Sequence, residues 1–204
     1  MNRLGMVINV SHSSDETLAQ TVGLSTAPVV ATHHGMRALN NIPRNMPEDL
    51  MRKIAAKGGL IGFQIGNEFH NVKAFDWRTK HAGKPFWDTT EIAERKGQPS
   101  IEEIDRKVAP QFPMVGLQMP PEILFSPDEW IGVIEKAIAI VGEDHVILGT
   151  DFDGGPTPPK GISDISHLPL LTDAMLRRGW SEQRIRKFLG LNLLPVFRQI
   201  TGDN

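Results

Sequence analysis

The sequence predicts an α/β fold built on a parallel sheet, and two observations support that reading. Four short apolar runs rich in Val and Ile, at 5–10, 28–32, 60–65 and 145–150, are each bounded by turn residues, as buried strands are. Amphipathic stretches of helical period lie between and after them. Strand alternating with helix sets the strands side by side and parallel through right-handed crossovers, and functional residues then collect at the carboxy ends of the strands.

Each helix has a local cause. The clearest opens with Ser126-Pro127-Asp128-Glu129, a capping box with proline at the first helical position, and closes at Gly142; Trp130, Val133, Ile134 and Ala137 form its apolar stripe. A second is expected to start at Asn45, with Glu48 completing the cap, and to run through Leu50, Ile54 and Ala55 to Gly58. Two more lie in the tail, one around Leu170, Leu171, Ala174 and Met175 ending near Gly179, the other from Ser181 through Ile185, Phe188 and Leu189. The exception to short connections is 66–125, with Pro85, Pro99, Pro110, Pro113, Pro120 and Pro121, which reads as a long inserted loop, lid or subdomain. Within it, a capping box at Ser100 followed by Ile101, Ile104 and Val108 predicts a helix over 100–108.

Composition narrows the chemistry. A chain of 204 residues with 40% hydrophobic and 23% charged content has the make-up of one globular domain. Its 22 basic and 24 acidic residues are intermixed, giving a net charge of -2, with no basic stripe for nucleic acid and no polybasic end for a membrane surface. No run approaches the roughly 18 apolar residues of a membrane span, and the opening MNRLGMVINVSH lacks the apolar centre of a secretory signal, so any targeting signal is expected upstream and the compartment is left open. With no cysteine, a metal here must be held by His or carboxylate ligands.

Four residues stand where such chemistry would be expected. His12 follows the first apolar run and His33 the second, about one strand-helix unit apart, so both sit on one rim and can direct imidazoles at a single zinc or similar ion. The alternative is that these rings satisfy turn carbonyls or cap helices. His34 should point away from His33, since neighbours on a strand face opposite sides. His70, His81 and His167 read as solvated loop residues, and His145 as the start of the fourth strand, on the opposite rim. The fourth strand ends in Gly149-Thr150-Asp151-Phe152-Asp153-Gly154-Gly155, which offers Asp151 as general acid or base, although Asp-Gly turns are common and Asp153 can serve as a loop cap. Arg44, just before a helix, has a fork suited to a substrate carboxylate, although many arginines so placed are simply solvated.

In order along the chain, several segments resemble the renal (membrane) dipeptidase family of metallopeptidases, M19. They are Asn2-Arg3-Leu4-Gly5-Met6 leading to Val10-Ser11-His12, Pro28-Val29-Val30 with Thr32-His33, Arg44-Asn45-Met46-Pro47-Glu48-Asp49, Gly58-Gly59, Gly149-Thr150-Asp151-Phe152-Asp153-Gly154, and Leu189-Gly190-Leu191-Asn192-Leu193-Leu194. The resemblance implies a partial (β/α)8 TIM-type barrel, about its last four strands with flanking helices, so that 1–204 is the carboxy-terminal half of a dipeptidase barrel with the long insertion at 66–125. It further implies metal-dependent hydrolysis of dipeptides, with His12 and His33 as zinc ligands, Arg44 on the substrate's terminal carboxylate and Asp151 in proton transfer.

The family's complete site holds two zinc ions, and its His-x-Asp pair and bridging glutamate would lie upstream of Met1, so at most one ion would be held here, weakly, with little or no activity in this chain alone. Asn9 stands where the family usually has aspartate, and Pro195 where an arginine is expected, which should disturb the last helix. Half a barrel would expose sheet edges, which points to a homodimer or a complementing amino-terminal half as partner. Two alternatives stay open: a related amidohydrolase acting on another amide or lactone, and a non-catalytic binding or assembly module.

Overall fold

The computed structural model describes residues 1–82, 119–152 and 154–202. Backbone pairing gathers three of the four apolar runs into one parallel sheet, β1 (Val30–His34), β2 (Leu60–Phe63) and β3 (Val146–Leu148), in that spatial order. The run at 5–10 does not form the expected strand. It meets β1 at a single parallel bridge, Asn9 to Val30, with Val10 N donating to Val30 O at 3.0 Å and Val30 N to Ile8 O at 2.9 Å. The ladder stops there because the Asn9 side chain replaces it: Oδ1 accepts the backbone N–H of Ser11 at 3.0 Å and of Thr32 at 3.3 Å.

Alternation along the strands divides the apolar side chains between two faces. Ala31, Ile61, Phe63 and Val146 join the main core with residues of α1 (Asp15–Leu24), α2 (Glu48–Ala56) and α5 (Pro127–Val141), among them Leu18, Ile54 and Trp130. Val30, Leu60 and Ile147 face the other way, onto Val7 and onto Val196 of α8 (Leu193–Thr201). The capping box of α5 forms as its sequence predicts, with Pro127 in the first turn and Gly142 closing the helix.

Several expectations are corrected. Helix α2 begins at Glu48, after Pro47, because Asn45 is buried and its Nδ2 is engaged by the carbonyls of Asn40 at 2.9 Å and Phe69 at 2.7 Å. The stretch 66–125 opens with two helices, α3 (Asn67–His70) and α4 (Val72–Ala82), while the expected helix at 100–108, like Asp153, lies outside the described residues. Neither His70 nor His81 lies in a loop: His70 is buried in α3 and donates from Nε2 to Gln64 O at 2.8 Å, whereas His81 is exposed, as expected, but sits in α4 and stacks on Trp77. His145 ends a short 3-10 turn just before β3 and donates to Gly59 O. In the tail, α6 (Pro169–Arg177) and α7 (Glu182–Arg186) precede a turn whose backbone leaves helical geometry at Gly190. The helix restarts at Leu193, so Pro195 falls in the first turn of α8, where its missing N–H costs nothing, and α8 is not disturbed.

Among the described residues no helix is long and apolar enough to cross a membrane. The face of α8 away from the sheet carries Leu193, Leu194 and Phe197, each more than a third exposed.

Two glycines let the sheet close up behind the site. A Cβ at Gly62 would lie 2.1 Å from Thr32 O, and one at Gly149 would lie 2.0 Å from the same oxygen. Gly62→Ala or Gly149→Ala should therefore force the strands apart and cost about 1–3 kcal/mol. Urea denaturation measures this, and an unchanged midpoint would contradict the close approach.

A pH dependence follows from the buried histidines. Burial pushes His34 down to about 3 and His70 down to about 4, both below the ordinary value of 6.5. The unfolded chain takes up these protons as pH falls through about 6.5, whereas the folded chain takes them up only near the depressed values, so stability is level above that point and declines below it. At pH 5 each ring should cost up to about 2 kcal/mol. Urea midpoints at pH 7.5 and pH 5 test this, and equal midpoints would show that the rings are not held neutral.

Candidate active site

The carboxy ends of β1 and β3 and the turn after Val10 converge on one point. His12 Nε2 and His33 Nε2 lie 2.8 Å apart, with ring planes inclined by 62°. His12 has φ 66° and Asp151 φ 57°, and they are the non-glycine residues with left-handed backbone among those described. That conformation costs energy for residues with a Cβ, and such strain concentrates where a side chain must be aimed.

His33 is braced by Thr32 at its ring and by Ser11 at its backbone. Thr32 Oγ1 donates to Asn9 Oδ1 at 3.3 Å and lies 2.8 Å from His33 Nδ1. When that hydroxyl donates to Asn9 or to Ser11 Oγ, 3.3 Å away, it accepts from Nδ1–H, the arrangement in which the Nε2 lone pair points at His12. Ser11 Oγ completes the brace by accepting the backbone N–H of His33 at 3.0 Å. Asn9 thus does with an amide oxygen what a carboxylate could do, and it reaches His33 through Thr32.

Asp151 follows β3, where Gly149 N donates to Phe63 O at 3.1 Å and Ile65 N donates to Thr150 O at 3.3 Å. Its carboxylate packs over Gly154, at which a Cβ would stand 2.6 Å from Oδ1. The loop beyond is fastened by α3. Thr157 Oγ1 donates to the buried Glu68 at 2.6 Å, Glu68 pairs with Arg78, and Asn67 Nδ2 donates to Thr157 O and Pro158 O at 2.9 Å.

Arg44 reaches back over the end of β1, donating from Nη2 to His33 O at 3.0 Å and from Nη1 to His34 Nδ1 at 3.3 Å, with its guanidinium 5.9 Å from the centre of the Phe69 ring. It is therefore fixed, not solvated. The sequence expected His34 to point away from the site. A register irregularity in β1, between Ala31 opposite Ile61 and His34 opposite Phe63, inserts an extra residue and alters the alternation.

The electrostatics agree with the geometry. Burial lowers His12, helped by Arg44 and His33 and opposed by Asp151. Burial likewise lowers His33, with Asp151 opposing and Arg44 assisting. Burial also lowers Arg44, again against Asp151. Both imidazoles are thus held neutral, the form that ligates metal, while the Asp151 carboxylate acts on all three cations or potential cations. Catalytic zinc normally keeps three protein ligands, and among the described residues no group of three or more His, Asp or Glu is placed to hold a metal ion. The donor set fits zinc in kind and supplies two positions.

Of the residues singled out from sequence, His12, His33, Arg44 and Asp151 are brought together. Missed were Ser11, Thr32, His34 and Phe69; the only signal available was Asn9, visible as a departure from a familiar pattern.

Comparison with known proteins gives the same direction. The membrane dipeptidase model (peptidase family M19) matches residues 1–202. Dipeptidase 3 of Rattus norvegicus is 26% identical over 200 residues, covering 98% of this chain and 31% of the relative. Dipeptidase ataJ of Aspergillus terreus is 28% identical over 196 residues, covering 96% of this chain and 36% of the relative. A solved structure, the probable dipeptidase PvdM from Pseudomonas aeruginosa, superposes with a TM-score of 0.72 at 25% identity, covering 98% of this chain and 52% of that one. The chain thus spans about a third of the curated relatives it matches. With the family model matched over almost its whole length and the paired imidazoles, arginine and carboxylate on one rim, this chain belongs to the membrane dipeptidase family.

Proposed function

We propose that this chain contributes the substrate-anchoring and proton-transfer half of a zinc dipeptidase. The observation that supports it most is the convergence of His12 Nε2 and His33 Nε2 at 2.8 Å, beside an arginine anchored on His33 O. Zinc, when bound, would polarise a peptide carbonyl and acidify water. His12 and His33 would hold it, with further ligands from outside the described residues.

The chain's own groups divide the rest of the work. Two N–H groups of Arg44 are committed to His33 and His34, leaving others to meet the terminal carboxylate of a dipeptide. That contact fixes the distance from carboxylate to scissile bond and so restricts the substrate to two residues. Asp151, held in its left-handed turn, accepts the proton of the attacking water and returns it to the departing amine.

Zinc titration and dipeptide binding, by calorimetry on the full chain, test this proposal. Zinc should bind weakly and binding should be lost in His33→Ala. With zinc present, Arg44→Ala should weaken a dipeptide about tenfold or more, yet leave the corresponding dipeptide amide unaffected. Equal weakening of both would favour a related amidohydrolase acting on another amide or lactone, and failure to bind zinc or dipeptide at all would favour a non-catalytic binding or assembly module.

The exposed Leu193, Leu194 and Phe197 on α8, beside a three-stranded open sheet, favour a partner surface, met by a second copy or by a complementing amino-terminal half. Sizing should therefore show dimers or larger species for the isolated chain. A monodisperse monomer would count against a partner there.

A further inference from the structure

We infer that His34 is a positioning residue for Arg44, its Nδ1 acting as a fixed acceptor that aims the guanidinium at the substrate carboxylate. The inference rests on the dipeptidase reading for the identity of that carboxylate, but the link between His34 and Arg44 stands on the geometry alone.

His34 is buried, and its ring is bracketed on two sides. Arg44 Nη1 lies 3.3 Å from Nδ1, and since a guanidinium can only donate, Nδ1 must be unprotonated. The ring proton therefore resides on Nε2. Nε2 itself has no hydrogen-bond partner. On its other edge Arg44 donates from Nη2 to His33 O at 3.0 Å, and the Phe69 ring lies 5.9 Å from the guanidinium carbon.

These contacts orient the planar fork against the end of β1. His33 O fixes one nitrogen of the fork and His34 Nδ1 the other, so the direction of the remaining N–H groups is set by the strand that carries His33. A backbone carbonyl alone would leave the guanidinium free to pivot about a single bond. The irregularity in β1 between Ala31 and His34 is what allows consecutive residues to serve the imidazole pair and the arginine. His34 does not touch His12 or His33 through its ring nitrogens, so its role lies in aiming Arg44 and not in ligation.

Isosteric substitution separates the two ring nitrogens. Asparagine places its side-chain oxygen near the position of Nδ1 and can accept from Arg44, whereas glutamine places its amide nitrogen near Nε2 and leaves Arg44 Nη1 without that acceptor. The readout is the rate at which phenylglyoxal modifies Arg44 in the full chain, followed by peptide mass spectrometry, with the buried Arg78 in the same digest reporting that the fold is intact. His34→Asn should keep Arg44 close to its original rate, and His34→Gln should accelerate it about tenfold, the worth of one hydrogen bond to a charged group.

Equal rates in the two variants, or protection by Gln in place of Asn, would overturn the assignment. Ring nitrogen shifts of His34 in the unaltered, 15N-labelled chain give an independent measure that needs no variant to fold: an unprotonated Nδ1 with a protonated Nε2 is expected, and the reverse tautomer overturns it. With zinc present, His34→Gln should also weaken a dipeptide about tenfold more than its amide. If the unaltered chain binds no dipeptide, the dipeptidase reading fails while the Arg44 rates still decide the role of His34.

Discussion

The close approach of β1 to its neighbours at Thr32 is the constraint on which the site depends. Its carbonyl sits where a side chain at Gly62 or Gly149 would have to be, and its hydroxyl ties Asn9 to the His33 ring. One residue thereby couples sheet curvature to imidazole orientation. Backbone packing and ring orientation thus meet at a single residue, in an interior too tightly packed to deform gradually.

Around that point the chain places strain and burial where they are useful. The left-handed backbone of His12 and Asp151 is unfavourable for residues with a Cβ, and it persists because surrounding bonds over-determine it. Burial then keeps the imidazoles neutral, and the negative Asp151 opposes that effect without reversing it. The same burial makes the fold sensitive to acid through His34 and His70. Keeping these rings buried and neutral thus carries a cost in stability at low pH that the apolar core beneath the sheet has to offset.

The remoter supports divide into two layers. Helix α3 locks the loop beyond Asp151 through Glu68 and Asn67, while Phe69 and His34 confine Arg44. The loop beyond Asp151 and the side chain of Arg44 are therefore held by one short helix and the end of one strand. That arrangement explains why 67–70, read from sequence as the start of a loop, is buried throughout.

The sequence by itself determined the parallel α/β character and the capping box of α5, and it singled out His12, His33, Arg44 and Asp151, which the fold brings together, because these depend on local period, caps and strand-end position. It also indicated the family through an ordered set of motifs. What it could not determine was which polar side chains would replace backbone pairing. Asn9 ends the ladder of the first apolar run, Asn45 displaces the start of α2, and the irregularity in β1 turns His34 toward Arg44. In each case a side chain contacts a group more than eight positions away along the chain. Such contacts leave no periodic trace, and only the tertiary structure, by fixing the distances between segments, decides them.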